Sequence, residues 1–470
     1  MAGMDKPNHP VSQFALLRQR RFAPFFATPF LGAANDNLLK FALTVMVTYQ
    51  LHLSWLPPAM AGLVIGALFI LPFLLFSATS GQLTDKYPKD SIIRLVKTLE
   101  VGIMALALVG FLLTHVPLLL LCIFLMGVHS TLFGPVKYAL LPQVLHEGEL
   151  TGGNGMVEMG TFVAILLGNL LGGALIALPQ IGATAVAIAC MVLAILGWLA
   201  ARQVPPIAAA VPDLRINWNL FTESWRNVQL ARQYPVVFRA LIGINWMWFV
   251  GAALLAQFPV LAKDVLHGNE HVASLLLVVF SVGIGVGSLL CEKLSRGHIN
   301  MLLVPLGALG MVVFLVDLYW ALSALAPRTE LADLSTFLQI PGHGRVLLDL
   351  GALALSAGIY SVPLYALVQW RSPATHRARI IATNNILGAL FMIASSLIVS
   401  ALLGAGLTLP MIFALLGVST LFFVWQTAQL WRRERNVAHN GQHPKPTTTT
   451  ITPQPTNQRK HTASIARRLI

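Results

Sequence analysis

The nine residues GQLTDKYPK, at positions 81–89, follow the second long apolar run of the chain and recur in altered form as SLLCEKLSR at 288–296. Both copies keep a small residue, an acid, a base and a second base at the same spacing. Both also follow a long apolar run, at a constant offset. Paired segments of this kind indicate two related halves, which is the sequence signature of an alternating-access transporter.

The composition indicates a helical membrane protein. Of the 470 residues, 56% are hydrophobic and only 10% are charged, whereas soluble domains carry about 25% charged residues. In a soluble chain, the formal net charge of +13 would suggest a nucleic-acid partner. Here the basic residues lie in short segments between apolar runs, so we do not expect the protein to bind nucleic acid. The three cysteines fall inside apolar runs, so the sequence predicts neither a disulfide, a metal site nor a cofactor.

Twelve runs are each long enough to cross the hydrocarbon core of a bilayer, which needs about 20 residues. The predicted fold class is therefore an all-α membrane protein of twelve transmembrane helices, arranged as two pseudo-symmetric six-helix bundles. The runs cover 25–50, 58–83, 92–114, 116–141, 153–178, 180–203, 236–263, 271–294, 299–326, 345–370, 380–403 and 408–431.

The distribution of Lys and Arg predicts the orientation. With the N-terminus placed inside, alternate segments hold 26 of the 31 basic residues, and the opposite loops hold three. In this count, Lys97 belongs to the segment 84–97, which lies on the same side as the N-terminus. Since basic residues are enriched on the cytoplasmic side, we expect both termini to be cytoplasmic.

We divide the chain into five segments. The cytoplasmic N-terminus is 1–21, the first bundle is 22–203, a cytoplasmic linker is 204–235, the second bundle is 236–432, and a disordered basic cytoplasmic tail is 433–470.

In the linker, Phe221, Trp225 and Val228 fall on one helical face, which predicts a short helix at the membrane surface. The alternative is a solvated linker without contact to the membrane.

Two opposite charges lie in the middle of the first apolar run, in GAANDNLLK at 32–40. Asp36 and Lys40 are four residues apart, so they are neighbours on one helical face with the favourable order of charges for pairing. Ionisable groups at this depth usually face a bundle interior or a wet cavity. One interpretation is an ion pair that fixes helix packing. The other is a polar site, which the flanking Asn35 and Asn37 favour.

A lysine in the fourth run could bind a phosphate. Ser130, Gly134 and Lys137 share a helical face with His129 beside them, and an ammonium group is a compact positive charge. Alternatively, Lys137 extends towards the nearby cytoplasmic interface.

In the fifth run, Glu158 shares a face with Asn154 and Thr161. Its carboxylate could pair with Lys137 or receive the amine of an ethanolamine head group. We therefore expect head-group recognition in the first half.

The second half is poorer in charge and richer in aromatic and amide side chains, which could form the wall for an apolar chain. Most aromatics in membrane spans nevertheless serve packing. The candidates are Asn245, Trp246, Trp248, Gln257, Tyr360, Tyr365, Asn384 and Asn385. Two further acids within apolar runs, Glu100 and Asp317, have no assigned role.

The segment at 81–89 resembles the motif in the loop between spans two and three of the major facilitator superfamily, with Pro88 where that motif usually has Gly. In that family the acid closes the cytoplasmic gate in the outward-open state. The resemblance therefore implies gating roles for Gly81, Asp85, Lys86 and Lys89, and for the second copy's Glu292, Lys293 and Arg296.

Within that superfamily, four strings resemble the bacterial lysophospholipid transporters, including the module that some bacteria fuse to an acyl-glycerophosphoethanolamine acyltransferase. They are GAANDN at 32–37, FGPVKYALLP at 133–142, NGMVE at 154–158 and, more loosely, VPLYALVQ at 362–369. The resemblance extends from about residue 18 to 430. The candidate substrate-binding residues are Asp36, Asn37, Lys40, Lys137, Tyr138 and Glu158.

Three functions compete. The resemblance implies a monomeric transporter in the bacterial inner membrane that moves lysophospholipid from the outer to the inner leaflet, for reacylation by a separate acyltransferase. The alternative is a proton-coupled exporter of amphipathic drugs or metabolites, with Asp36 or Glu158 as the titrating group. The third is an acyltransferase, which we do not expect, because none of the 13 histidines has the Asp five residues on that such enzymes use.

Overall fold

In the residues that it describes, the computed structural model consists of helices joined by turns and irregular segments, with one backbone bridge between Gly268 and Ala332. The residues described are 12–51, 53–56, 58–295, 298–326 and 330–439. The predicted gating residue Arg296, most of the N-terminal segment and residues 440–470 of the predicted disordered tail lie outside them. Residues 433–439 of that predicted tail are helical, so the prediction of disorder is wrong there.

Within the described residues, six long helices form the first half. They are α1 (Ala23–Val45), α2 (Pro58–Lys86), α3 (Lys89–Leu112), α4 (Val116–Val144), α5 (Glu147–Ile176) and α6 (Gly182–Arg202), preceded by a 3-10 helix, Gln13–Arg18.

Six more long helices and two short ones follow. They are α7 (Leu220–Arg232), α8 (Pro235–Val260), α9 (Glu270–Ser295), α10 (Leu303–Ser323), α11 (Leu334–Gln339), α12 (His343–Arg371), α13 (Arg377–Gly404) and α14 (Leu409–His439). One π-turn extends α1 through Met46–Gln50 and another extends α8 through Leu261–Val265.

Within the described residues, eleven helices are long and apolar enough to cross a membrane. The twelfth predicted span is α1, which has 23 residues but carries Asn35, Asp36, Asn37 and Lys40 near its centre. It packs against α5 and α6 inside the first bundle. The predicted all-α membrane fold is confirmed.

Proline and glycine mark several helix ends. Pro58 and Pro235 are the first residues of α2 and α8, where the missing N–H costs nothing and the fixed φ suits the helix. After α13, Gly406 has a φ of +90°, a conformation that glycine adopts without a steric penalty.

The predicted linker helix is α7. Asn219 caps it by accepting a hydrogen bond from the Thr222 N–H, 3.0 Å away. Phe221 and Trp225 are 79% and 57% exposed, as a helix that lies on a membrane surface requires. Val228 is half-buried.

Each half has its own apolar core. One core consists of residues from α1 to α6, and the other is formed by α7 to α14 with Phe162 of α5 added.

The two halves meet where α2 ends, which we call the Asp85 end. The Asp85 carboxylate accepts hydrogen bonds from the Arg379 Nε at 3.0 Å and from the Ala378 N–H at 3.3 Å, both at the start of α13. Asn154 and Gln369 exchange two side-chain hydrogen bonds of 2.9 and 2.8 Å. Polar contacts therefore hold the halves together at this end.

Helices α5 and α9 make a second close crossing at the same end. A Cβ added to Gly155 would lie 2.5 Å from the Ser288 carbonyl oxygen, so the two backbones are nearly in contact. Towards the middle of the molecule, Tyr138 and Tyr365 stack with ring centroids 4.6 Å apart. This tyrosine pair lies between the closed Asp85 end and a cavity.

Candidate functional site

A cavity of about 370 Å³ lies between the two halves, next to the tyrosine pair. Helices α1, α2, α4 and α5, with Lys97 of α3, supply one wall, and α8, α12 and α13 supply the other. Of the six predicted substrate-binding residues, five line this cavity. They are Asp36, Asn37, Lys40, Lys137 and Tyr138.

Asp36 and Lys40 both face the cavity but do not form a contact ion pair among the described residues. The Ser130 hydroxyl donates to the Asp36 Oδ2 at 2.7 Å, and the Lys40 Nζ lies 4.0 Å from the centre of the Phe69 ring. The other carboxylate oxygen of Asp36 has no hydrogen-bond partner there, although the residue is only 8% exposed. The geometry leaves Asp36 able to accept one more hydrogen bond.

Lys137 and Glu158 do not form a contact ion pair within the described chain either. The Lys137 Nζ donates to the Thr161 hydroxyl at 2.9 Å. Glu158 is buried behind Tyr138, with one carboxylate oxygen 3.5 Å from the tyrosine hydroxyl and the other without a partner. Two lysines therefore reach the cavity without a carboxylate in contact.

The second half supplies a neutral wall. The Asn245 side-chain amide donates to the Asn384 Oδ1 at 3.0 Å, and the Trp248 indole donates to the Tyr365 hydroxyl at 3.1 Å. Asn385 completes the polar part of this wall. Trp246, Gln257 and Tyr360, which the sequence grouped with these residues, do not line the cavity.

The sequence did not identify the buried ionic cluster at the edge of the cavity, where Lys97 and His129 also line it. The Lys97 Nζ is 2.6 Å from the Glu100 Oε2, and the same oxygen is 3.2 Å from the His129 Nε2. The Asn35 amide donates to the other oxygen of Glu100 at 2.8 Å. A Cβ at Gly32 would lie 2.7 Å from the Lys97 Nζ, so Gly32 leaves room for the ammonium group.

The sequence count placed Lys97 with a cytoplasmic loop, and this is wrong. Helix α3 begins at Lys89, so Lys97 lies two turns inside it, where its side chain is 1% exposed. The spacing of three residues between Lys97 and Glu100 in a helical span was the signal that could have revealed the pair. Asp317, the other unassigned acid, pairs with Arg345 at the surface.

Glu100→Gln is expected to destabilise the protein strongly. The change leaves the buried Lys97 ammonium without its carboxylate, and removing one partner of a buried ion pair costs about 3–5 kcal/mol. The measurement is thermal unfolding of the purified protein in nanodiscs. Asp317→Asn is the matched control, since it removes a carboxylate from an exposed pair. Equal melting temperatures for the two variants would show that the buried cluster contributes nothing to stability.

The predicted gating residues lie together at the Asp85 end, except for the undescribed Arg296. A Cβ at Gly81 would be 2.7 Å from the Ala382 Cβ on α13. Lys89 is buried, the Lys86 Nζ lies 5.8 Å from the centre of the Tyr87 ring, and Lys293 is exposed at the end of α9.

The second copy of the motif is arranged like the first. The Glu292 carboxyl group lies 3.3 Å from a Cβ position at Gly152, in the second turn of α5. Asp85 approaches the first turn of α13 in the same way. Each acid therefore lies near the N-terminus of a helix in the other half, where the helix dipole favours negative charge.

The chain is similar in sequence to known membrane transporters. Two proteins called lysophospholipid transporter LplT are similar in sequence. That of Enterobacter sp. (strain 638) is 27% identical over 415 residues, covering 86% of this chain and 94% of the relative. That of Escherichia coli O9:H4 (strain HS) is 28% identical over 413 residues, with the same coverage of 86% and 94%.

Solved structures share the fold at low sequence identity. The human organic anion transporter MFSD10 has a TM-score of 0.68 and 13% identity, over 87% of this chain and 99% of the other. FucP, in the outward conformation, has a TM-score of 0.65 and 12% identity, over 87% and 98%. The family model of the Major Facilitator Superfamily matches residues 25–396. Together with the twelve long helices that the described residues form in two halves around a central cavity, this match shows that the chain belongs to the major facilitator superfamily of membrane transporters.

Proposed function

We propose that this protein moves lysophospholipid across the bacterial inner membrane, from the outer to the inner leaflet, by alternating access. The observation that carries the proposal is the cavity. Lys40 and Lys137 reach it without a contacting carboxylate, and Asp36 faces it with an unused carboxylate oxygen. The names of the sequence relatives support the lipid class.

A zwitterionic head group complements these charges. Its phosphate would lie near Lys137 or Lys40, where charge-assisted hydrogen bonds are about twice as strong as neutral ones. Its ammonium group would lie near Asp36, whose free oxygen has no donor. Asn37 and Tyr138 line the same cavity. Glu158 acts from behind Tyr138 by adding negative charge.

The apolar part of the lining suits an acyl chain. Phe69, Ile70 and Phe73 of α2 and Met392 of α13 line the cavity together with Ile165 of α5. A lysophospholipid has one polar end and one chain, so a cavity with a charged wall and an apolar wall matches its shape.

The Asp85 end would be the cytoplasmic gate, closed here. Under the positive-inside rule, the segment that holds Lys86 and Lys89 faces the cytoplasm, which makes this arrangement outward-facing. Opening the gate requires loss of the Asp85–Arg379 contact. On the other side, the Glu292 carboxyl group lies beside Gly152 of α5 and would have to move away from it. Lys86, Lys89 and Lys293 would then attract anionic lipid head groups near the exit.

The remaining assignments are part of the same proposal. The two halves, 22–203 and 236–432, move against each other, both termini are cytoplasmic, and the transporter acts as a monomer. It performs no acyl transfer, so a separate acyltransferase would consume the lipid that it delivers.

A specific observation favours a second function, the proton-coupled export of amphipathic compounds. Asp36 is connected through Ser130 to His129, whose Nδ1 is 3.5 Å from the serine oxygen, and His129 contacts Glu100. Such a chain of buried ionisable groups could accept a proton next to the cavity.

Ligand-induced thermal stabilisation distinguishes the two functions. A ligand at 100 times its Kd stabilises the native state by about 2.7 kcal/mol, so lysophosphatidylethanolamine below its critical micelle concentration should raise the melting temperature of the protein in nanodiscs. Glycerophosphoethanolamine, which lacks the chain, and a free fatty acid, which lacks the head group, should each have a smaller effect. Stabilisation by lipophilic cations and none by lysophosphatidylethanolamine would favour the exporter.

A further inference from the structure

The N-terminal segment reaches across the boundary between the two halves through Gln13. This residue begins the 3-10 helix that precedes α1, and it is 6% exposed. Its side-chain Nε2 donates to the Leu289 carbonyl oxygen of α9 at 3.0 Å. A polar residue before the first span is thus buried against the second half.

Glycines in α5 make room for this side chain. A Cβ at Gly152 would lie 3.1 Å from the Gln13 Cβ, and one at Gly155 would lie 3.6 Å from the Gln13 Oε1. The same Gly152 position is 3.3 Å from the Glu292 carboxyl group. Gln13 therefore lies at the point where α5 and α9 cross.

The segment that carries Gln13 is attached firmly to the first half. Arg21 forms an ion pair with Glu149 at 2.6 Å and donates to the Val144 carbonyl oxygen at 2.5 Å. Leu16 and Phe22 are buried in the core at the Asp85 end. The hydrogen bond from Gln13 to Leu289 therefore connects the two halves, and it breaks whenever α5 and α9 separate.

The equivalent crossing, between α2 and α13, is covered by another segment of chain. The linker binds the end of α2 through the Val211 N–H, which donates to the Asp85 carbonyl oxygen at 2.8 Å. The Gln82 side chain also exchanges hydrogen bonds of 2.8 and 3.0 Å with the Asn217 backbone. The linker helix α7 also packs against both α2 and α13, so at each crossing a segment outside the long helices contacts both halves.

We propose that Gln13 is a positioning residue of the transport cycle, which holds the α5–α9 side of the gate closed while Asp85 and Arg379 hold the α2–α13 side. This rests on the alternating-access part of the proposed function. A neutral hydrogen bond makes only a small net contribution to stability. Its loss should therefore shift the ratio of open to closed gates roughly threefold to tenfold. A shift of that size changes the cycle without unfolding the protein.

Double electron–electron resonance in nanodiscs tests the proposal. Nitroxides are attached to cysteines introduced at Glu147 and Leu294, two exposed positions beside the crossing, after replacement of the three native cysteines. Gln13→Ala should increase the ratio of long to short distances threefold to tenfold. Gln13→Glu should increase it further, because it places a carboxylate beside Glu292. Ser12→Ala, at an exposed neighbour without a capping hydrogen bond, should leave the distances unchanged.

Distance distributions of both Gln13 variants that match those of the Ser12→Ala control would overturn the proposal. The measurement reports conformation and does not depend on the substrate. If Gln13→Ala shifts the distances but the unmodified protein takes up no lysophosphatidylethanolamine, the proposed substrate is wrong and the role of Gln13 stands.

Discussion

Lys137→Met is expected to lower the uptake of lysophosphatidylethanolamine at least tenfold. Methionine has nearly the length of lysine but cannot donate to a phosphate, and a hydrogen bond to a charged group contributes about 1.5–3 kcal/mol. That range corresponds to roughly a tenfold to 150-fold change in affinity, so the half-saturating lipid concentration should rise. Initial uptake rates over a range of lipid concentrations in spheroplasts measure the effect.

Two further variants make this prediction specific. Lys137→Arg keeps the positive charge and should retain part of the uptake. Lys263→Met removes a lysine that is exposed on the turn after α8, away from the cavity, and should transport normally. Within the described residues, Lys137 makes one hydrogen bond, to Thr161, so loss of the ammonium should not unfold the protein. Normal uptake by a folded Lys137→Met variant would remove this lysine from the site.

Gly155→Ala is expected to reduce uptake at least tenfold by preventing closure of the Asp85 end. The added methyl group would lie 2.5 Å from the Ser288 carbonyl oxygen, and a backbone atom cannot move aside as a flexible side chain does. Overpacking of this kind costs about 1–3 kcal/mol, and the whole cost falls on the state in which α5 and α9 are in contact. Uptake assays and the spin-label distances described above both measure it.

Gly285→Ala is the matched control at the same crossing. Its Cβ would lie 3.4 Å from the Met159 Cγ, an ordinary contact with a flexible side chain. This variant should transport normally. Equal uptake by the two alanine variants would show that close contact between α5 and α9 is not required in the cycle.

The sequence predicted the helical fold because that fold depends on features that can be read locally. Runs of about 20 apolar residues must be helices in a membrane, and the repeated GQLTDKYPK segment indicated the two halves. The comparisons confirm the superfamily that this segment suggested.

The sequence also indicated much of the cavity wall. Asp36, Lys40 and Lys137 were singled out because charged side chains within apolar runs are costly unless they face a cavity or a partner. Whether they bind substrate remains a prediction.

The contacts of these charged groups could not be predicted, because their partners lie on other helices that are distant in the sequence. Asp36 and Lys40 are neighbours on α1, yet Ser130 of α4 binds the acid and Phe69 of α2 lies under the lysine. Lys97 was counted with the cytoplasmic segment 84–97, and only the packing of α3 against α6 and α4 shows that it is buried.

The contact of Gln13 with α9 had no local signal. Its partner, Leu289, is 276 residues away in the sequence. A glutamine before the first span has no feature in the sequence that distinguishes it from a surface residue. Contacts between the two halves of this kind can be found only from the folded structure.

Uptake of radiolabelled lysophosphatidylethanolamine into spheroplasts of a strain that lacks its own transporter tests the central claim most directly. Cells with this protein are compared with cells carrying the empty vector, each with and without a protonophore. The account predicts uptake that depends on the protein and continues in the presence of the protonophore. No uptake above the empty vector, from a protein shown to be folded in the membrane, would contradict it.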